Sequence, residues 1–249
     1  MAATLRLKMR VAYDGRPFRG WQSQAGGDAI QDHIENAFLR LCGERIVVHG
    51  AGRTDAGVHA LGQVAHADVP EGKMTLHRWL AALNAYLPPE IRILKVSRAP
   101  AQFHSRFDAR GKVYTYRIWN SPVLHPLERG RAWHFPNPIE VERLRVCAKM
   151  LEGRHDFAGF AANRGTPVES TVRTLQRITV RAGGSLITLQ FQGEGFLYHM
   201  VRLLTGAMVR VAQGRAEPAW IAELLAAQGR SKSSFTAPAE GLYLVKATY

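Results

Sequence analysis

The sequence predicts an α+β protein built from two ferredoxin-like halves. Three observations carry this prediction. The periodic segments of residues 5–96 follow the order β-α-β-β-α-β, a similar order recurs over residues 112–248, and the composition suits a packed core. Hydrophobic residues make up 46% of the 249-residue chain and charged residues 21%, a globular balance rather than a disordered one. The expected halves are 1–105 and 106–249, with the boundary falling near residues 100 to 108. Two sheets meeting edge to edge would leave a cleft between them, the natural place for a ligand.

Taken in order, Leu5 to Tyr13 alternates apolar and polar residues and reads as a strand. Asp28 to Leu41 reads as a helix, with Asp28 as its N-cap, Ile30, Ile34, Ala37, Phe38 and Leu41 as its apolar face and Gly43 closing it. Arg45 to His49 and Gly62 to Ala67 read as short strands. Thr75 to Tyr86 is a helix stopped by Pro88 and Pro89, and Ile91 to Val96 completes the first half as a strand. In the second half the strands are Lys112 to Trp119, Thr174 to Arg181, Leu186 to Gln192 and Leu242 to Thr248. The helices there are Ile139 to Leu151, Phe196 to Gln213 and a short one near Ala219 to Ala227. The Pro-rich segment from Asn120 to Pro138 reads as a long loop kept in order by Trp133 and Phe135.

The charge is strongly basic, with 33 Lys plus Arg against 20 Asp plus Glu and a formal net charge of +13. Arginines are dispersed from Arg6 to Arg230, which points to a folded basic surface and not to a basic tail. Such a field attracts polyanions, and nucleic acid leads an anionic membrane as the expected partner. The two cysteines, Cys42 and Cys147, form no Cys-x-x-Cys pair, so the spacing supports neither a disulfide framework nor a cysteine zinc site. Arg6, Lys8 and Arg10 interrupt the N-terminal apolar residues, unlike a signal peptide, and no run approaches the roughly 20 apolar residues of a membrane span. A cytoplasmic protein without membrane association is expected.

Several chemistries are missing from the motif record: there is no Walker loop, no His-Glu-x-x-His and no Gly-x-Ser-x-Gly. Gly50-Ala51-Gly52 does not continue as a dinucleotide fingerprint, because Asp55 occupies the third glycine slot. His49, His59 and His66 have no metal-site spacing and read as structural histidines. Neither cofactor nor metal is expected.

Three segments remain. HGAGRTDAGVHALGQV, from His49 to Val64, sets Arg53, Thr54 and Asp55 in a glycine-punctuated run that lets a ligand approach the backbone closely. By residue chemistry alone, an Asp before Ala-Gly is more often a turn former. GKVYTYRIWN puts Tyr114, Tyr116 and Ile118 on one strand face, with Phe103 to Phe107 just upstream. Aromatics interleaved with Arg suit base stacking and phosphate pairing, and equally suit a half-buried strand. In the third segment Leu197, Met200, Val201, Leu204, Met208 and Val211 form a buried helical stripe. Arg202 beside it calls for a carboxylate partner, for which Asp55 is a candidate.

These motifs, with YDGRPFRGWQ at Tyr13 to Gln22 and EGLYLV at Glu240 to Val245, resemble the TruA-type tRNA pseudouridine synthases along essentially the whole chain. Ser105 stands where members of that family typically have Ala. The resemblance implies two ferredoxin-like halves forming an extended antiparallel sheet, with helices on one face and a central RNA-binding cleft. It implies isomerisation of uridine to pseudouridine at positions 38–40 of the tRNA anticodon stem-loop by a cofactor-free homodimer. In that reading Asp55 is the catalytic aspartate and Arg202 its basic partner. Tyr114 stacks on the target uracil, Arg53 helps displace the base, and His59 and Leu197 join them at the substrate. The rival reading from another class is a non-catalytic basic RNA-binding module of the same architecture.

Overall fold

Alternation turns Leu5, Leu7, Met9, Val11 and Tyr13 to one face, and all five are buried. They belong to β1 (Thr4–Tyr13) in the computed structural model of the chain, which describes residues 3–163, 165, 168–233 and 235–249. There follow α1 (Ile30–Cys42), β2 (His49–Gly50), β3 (His59–Pro70), α2 (Leu76–Tyr86) and β4 (Ile91–Arg98). β1 pairs antiparallel with β3 on one side and β4 on the other, and β2 pairs antiparallel with β3. The resulting order, β4-β1-β3-β2, is that of a ferredoxin-like sheet. Phe38 of α1 and Trp79 of α2 meet at 5.8 Å between ring centroids, and both are fully buried.

The remainder of the chain supplies β5 (Gly111–Asn120), β6 (Trp133–Phe135), α3 (Val141–Leu151), β7 (Gly153–Asp156), β8 (Val172–Gly183), β9 (Leu186–Gly193), α4 (Met200–Ala212), α5 (Ala219–Ala226) and β10 (Leu242–Thr248). The compact unit Gly111–Leu242 pairs β5-β9-β8-β7 in antiparallel order, and α3 packs on both α4 and β8. Tyr243–Tyr249 belongs instead with the unit that runs through Arg110, where Tyr243 and Leu244 lie parallel to His59 and Ala60 of β3. The α+β class and the antiparallel pairing match expectation. The terminal strand, expected to close the second half, joins the first.

Other departures have local causes. α1 begins at Ile30 with Ala29 as N-cap, not Asp28, because its first amides donate to the carbonyls of Gly20 and Trp21 and Asp32 accepts from the Ala29 amide. Arg45 to Val48 form no strand, and the Val48 amide donates to the Glu35 carboxylate. The Pro-rich loop carries β6, parallel to the end of β5, and Asn120 Nδ2 donates to the carbonyls of Phe135 and Asn137. α4 starts at Met200 rather than Phe196, since His199 takes a left-handed backbone with φ 59°.

A close crossing fixes the C-terminal segment on α4. A Cβ at Gly206 would lie 2.1 Å from the Phe235 carbonyl oxygen, so only glycine allows the approach. The Gly206→Ala variant is expected to lose about 1–3 kcal/mol in urea unfolding, the usual cost of overpacking.

On the first unit, His66 is 2% exposed and stacks on His49 at 4.9 Å. Its Nδ1 accepts from the Ser105 amide, while the Ser105 hydroxyl donates to the His49 carbonyl. Burial, followed by the charges of His49, Arg6 and His104, lowers the His66 pKa from 6.5 to about 4. Because the unfolded chain takes up the proton first, this contribution is complete above pH 6.5 and is lost as pH falls toward 4, by at most about 3 kcal/mol. Urea midpoints measured across that window should fall with acid; a flat profile contradicts a buried neutral His66.

Candidate active site

The stretch between β2 and β3 alternates anchors with outward residues. Ala51, Thr54 and Val58 are buried, Asp55 is half-buried and Arg53 is exposed. Backbone and side-chain bonds hold it from several sides. The Ala51 amide donates to the Val64 carbonyl, Gln63 Nε2 to the Gly52 carbonyl, and the Trp21 amide to the Thr54 carbonyl. The Thr54 hydroxyl shares a 2.8 Å hydrogen bond with the Tyr13 hydroxyl. Asp55 begins a tight turn, its carbonyl accepting from the Val58 amide, with Gly57 at φ 78°.

Residues 13–22 form the floor of this loop. A Cβ at Gly20, itself at φ 88°, would sit 2.5 Å from the Thr54 carbonyl oxygen, and one at Gly15 would sit 2.0 Å from that of Val58. Gly50 in turn lies against the Trp21 indole, where a Cβ would be 2.5 Å from a ring carbon. The two motifs are therefore pressed together, backbone on backbone and glycine on tryptophan, at spacings no side chain survives. His59, 3% exposed, works beneath them: its Nδ1 accepts from the Gly15 amide, and its ring stacks on Tyr243 at 4.6 Å. Asp14 lies 3.3 Å from that Nδ1. Burial raises the Asp14 carboxyl, but hydrogen bonds from Arg16 and the charge of His59 hold it below its ordinary value.

A polar chain that the sequence reading missed supports Arg53. Its Nε donates to Gln22 Oε1, Gln22 Nε2 to Gln31 Oε1, and Gln31 Nε2 to Glu35 Oε1, which also receives the Val48 amide. Gln31 and Glu35 are buried on α1 at a spacing of four residues, which places both on one side of the helix. Two polar residues bordering the Ile30, Ile34, Phe38 stripe were the available signal.

The other unit carries Tyr114, Leu197 and Arg202. Tyr114 lies on β5 opposite Phe191, 8% exposed, with its ring edge-on to Phe196 at 4.9 Å and 75°. Tyr116, grouped with it by alternation, is a core residue: it is fully buried, and its hydroxyl donates to the Pro238 carbonyl at 2.7 Å. Leu197 precedes α4 and lines an open hollow of about 480 Å³ with Tyr198, Arg230 and Lys232. Arg202 Nε donates to the Ala237 carbonyl at 2.8 Å, and the Ala237 amide donates back to the Arg202 carbonyl. Its Nη1 lies 3.3 Å from His199 Nε2. A left-handed non-glycine residue costs roughly 1–2 kcal/mol, and sequence reasoning gave no sign of His199. Thus Arg53, Asp55 and His59 share one unit, and Tyr114, Leu197 and Arg202 share the other. Among the described residues no group of three or more His, Cys, Asp or Glu is arranged to hold a metal ion.

A family model described as tRNA pseudouridine synthase matches residues 9–108 and 147–249. Arg53, Asp55, His59, Leu197 and Arg202 fall in the matched segments, and Tyr114 lies between them. The chain is 45% identical over 251 residues to the tRNA pseudouridine synthase A of Akkermansia muciniphila, covering 98% of this chain and 95% of that one. It is 47% identical to its counterpart from Solidesulfovibrio magneticus, covering 98% and 91%, and 41% identical to that from Geobacillus kaustophilus, covering 99% and 95%.

The backbone contact at Gly20 is open to direct test. Gly20→Ala, strained at its own φ and driven into the Thr54 carbonyl, is expected to cost about 1–3 kcal/mol. Hydrogen exchange should quicken at the Trp21 and Val58 amides before it does in β5 or β9.

Proposed function

The chain belongs to the tRNA pseudouridine synthase family, and from that premise we propose that it isomerises uridine to pseudouridine at positions 38–40 of the tRNA anticodon stem-loop. The observation that supports this most is the Asp55 loop, where a half-buried carboxylate sits on a backbone braced by Tyr13, Trp21 and two glycine contacts. A pure RNA binder has no use for a braced carboxylate facing a polyanion.

The reaction breaks the bond between ribose C1′ and uracil N1, turns the base and forms a bond from C1′ to C5. The C5 proton leaves to solvent and N1 regains one, so atoms and electrons balance without a redox cofactor or energy source. Asp55, as an ionised carboxylate, opens the reaction at the ribose, by attack or by removing a proton. Arg202 is proposed as the cation that steadies this carboxylate, and Tyr114 as the ring that holds the detached uracil. Arg53, exposed and tethered to Gln22, suits displacement of the target base, and Leu197 suits an apolar wall beside it. His59, 3% exposed with its Nδ1 accepting from the Gly15 amide, suits bracing the loop from below, and we assign it that part.

Taking a base out of the stack costs a few kcal/mol, of which stacking on an aromatic returns about 1–3 kcal/mol. Phosphate contacts supply the remainder, and the +13 charge makes them available. We read the working form as a cytoplasmic homodimer, on the resemblance to the family and on the location of tRNA. Among the described residues no helix is long and apolar enough to cross a membrane.

The test is tritium release from tRNA carrying C5-tritiated uridine, with Asp55→Ala and Asp55→Asn compared at matched tRNA binding. Release by the wild type should fall at least about a thousandfold in both variants while tRNA affinity is kept. Affinity should also drop steeply with added salt. Tight binding without release by the wild type would leave a basic RNA-binding module.

A further inference from the structure

His199 is one of two non-glycine residues with positive φ among the described residues, at φ 59° and ψ 5°. It directly precedes α4, where an N-cap residue ordinarily has an extended backbone. No side-chain capping bond explains the exception. Its carbonyl accepts the first helical bond, from the Leu203 amide, so the left-handed turn both marks where the helix begins and redirects the side chain.

The redirected imidazole lies against Tyr198, with ring centroids 3.9 Å apart, and brings Nε2 to 3.3 Å from Arg202 Nη1, three residues along. A guanidinium has donors and no acceptor, so Nε2 must be the acceptor, the ring proton must sit on Nδ1, and the imidazole is neutral in this contact. Arg202 Nε is meanwhile fixed on the Ala237 carbonyl. Bonds at Nε and Nη1 together define the plane of the guanidinium, as a single bond would not. Unfavourable backbone at a functional element is kept where the surroundings impose it.

We propose that His199 is a positioning residue for Arg202: the left-handed turn before α4 aims its neutral imidazole so that, with the Ala237 carbonyl, it sets the orientation of the guanidinium. This rests on the reading of Arg202 as the cation that serves Asp55. His199 itself touches no reacting atom.

Two variants separate aim from backbone. His199→Gly accepts the same φ and lacks the acceptor, while His199→Asn tolerates the left-handed region and carries a shorter acceptor. In the tritium-release assay His199→Gly is expected to lower kcat about 10- to 100-fold with KM for tRNA within about twofold and an unchanged melting temperature, and His199→Asn to restore part of the loss. In an Arg202→Lys background, which removes the fork His199 holds, His199→Gly should change kcat less than about twofold. Side-chain ¹⁵N NMR of the free protein gives a readout independent of turnover: rotation of the Arg202 guanidinium, hindered in the wild type, should speed up in His199→Gly. Unchanged rotation overturns the proposal whatever the enzyme does. An equal kcat loss in both backgrounds also overturns it, because His199 would then act without Arg202. A wild type that releases no tritium while Arg202 rotation still responds to His199→Gly would sink the proposed function and leave the positioning contact standing.

Discussion

Close approach of backbone to backbone at Gly15 and Gly20 is the constraint on which the Asp55 loop depends. Carbonyl oxygens of Thr54 and Val58 occupy the space a Cβ would need at those two positions. The loop therefore cannot shift without dislodging residues 13–22, which in turn hold the start of α1 through the Gly20 and Trp21 carbonyls. One contact surface thus links the carboxylate, the first helix and the end of β1. Side-chain bonds such as that between Tyr13 and Thr54 fine-tune a geometry already set by main chain.

The second unit uses the same device with different residues. Gly206 lets the segment at Phe235 lie directly on α4, and Ala237 then trades hydrogen bonds with Arg202 in both directions. Tyr116 secures the next residue by bonding the Pro238 carbonyl from the core of the sheet. In each unit the backbone that carries a charged side chain is held by a segment distant in sequence that crosses it at a glycine. The parts proposed for Arg202 and Asp55 draw on this, since a charged group held in place needs no reorganisation when its partner or substrate arrives.

Much of this was legible beforehand, and the reason differs by feature. Alternation in Leu5 to Tyr13 and the 3.6-residue stripe from Met200 to Val211 exposed β1 and α4, because burial of one face leaves a local period. The halves of α+β type followed from the order of such segments. Boundaries shifted where side chains or remote carbonyls replaced expected partners: Asp32 and the Gly20 loop displaced Asp28 as the cap, and Glu35 took the Val48 amide out of a strand. Tyr114 and Tyr116 looked alike on one strand face. They part company only through Phe196 beside one and Pro238 beyond the other.

By itself the sequence determined the order of the longer strands and helices, the core stripes, the net positive charge and the set of motifs that marks the family, all of which can be read from residues near one another along the chain or from their sum. Tertiary structure decided which glycines are indispensable, why His59 lies under the loop, how Gln22, Gln31 and Glu35 join behind Arg53, and that His199 turns left-handed before α4. It also assigned Tyr243–Tyr249 to the unit that contains β3. Most of these rest on contacts between segments remote in sequence, such as Arg53 with Gln22 and His59 with Tyr243. Periodicity reports which face of a segment is buried, and it carries no information about the particular atoms that face will meet.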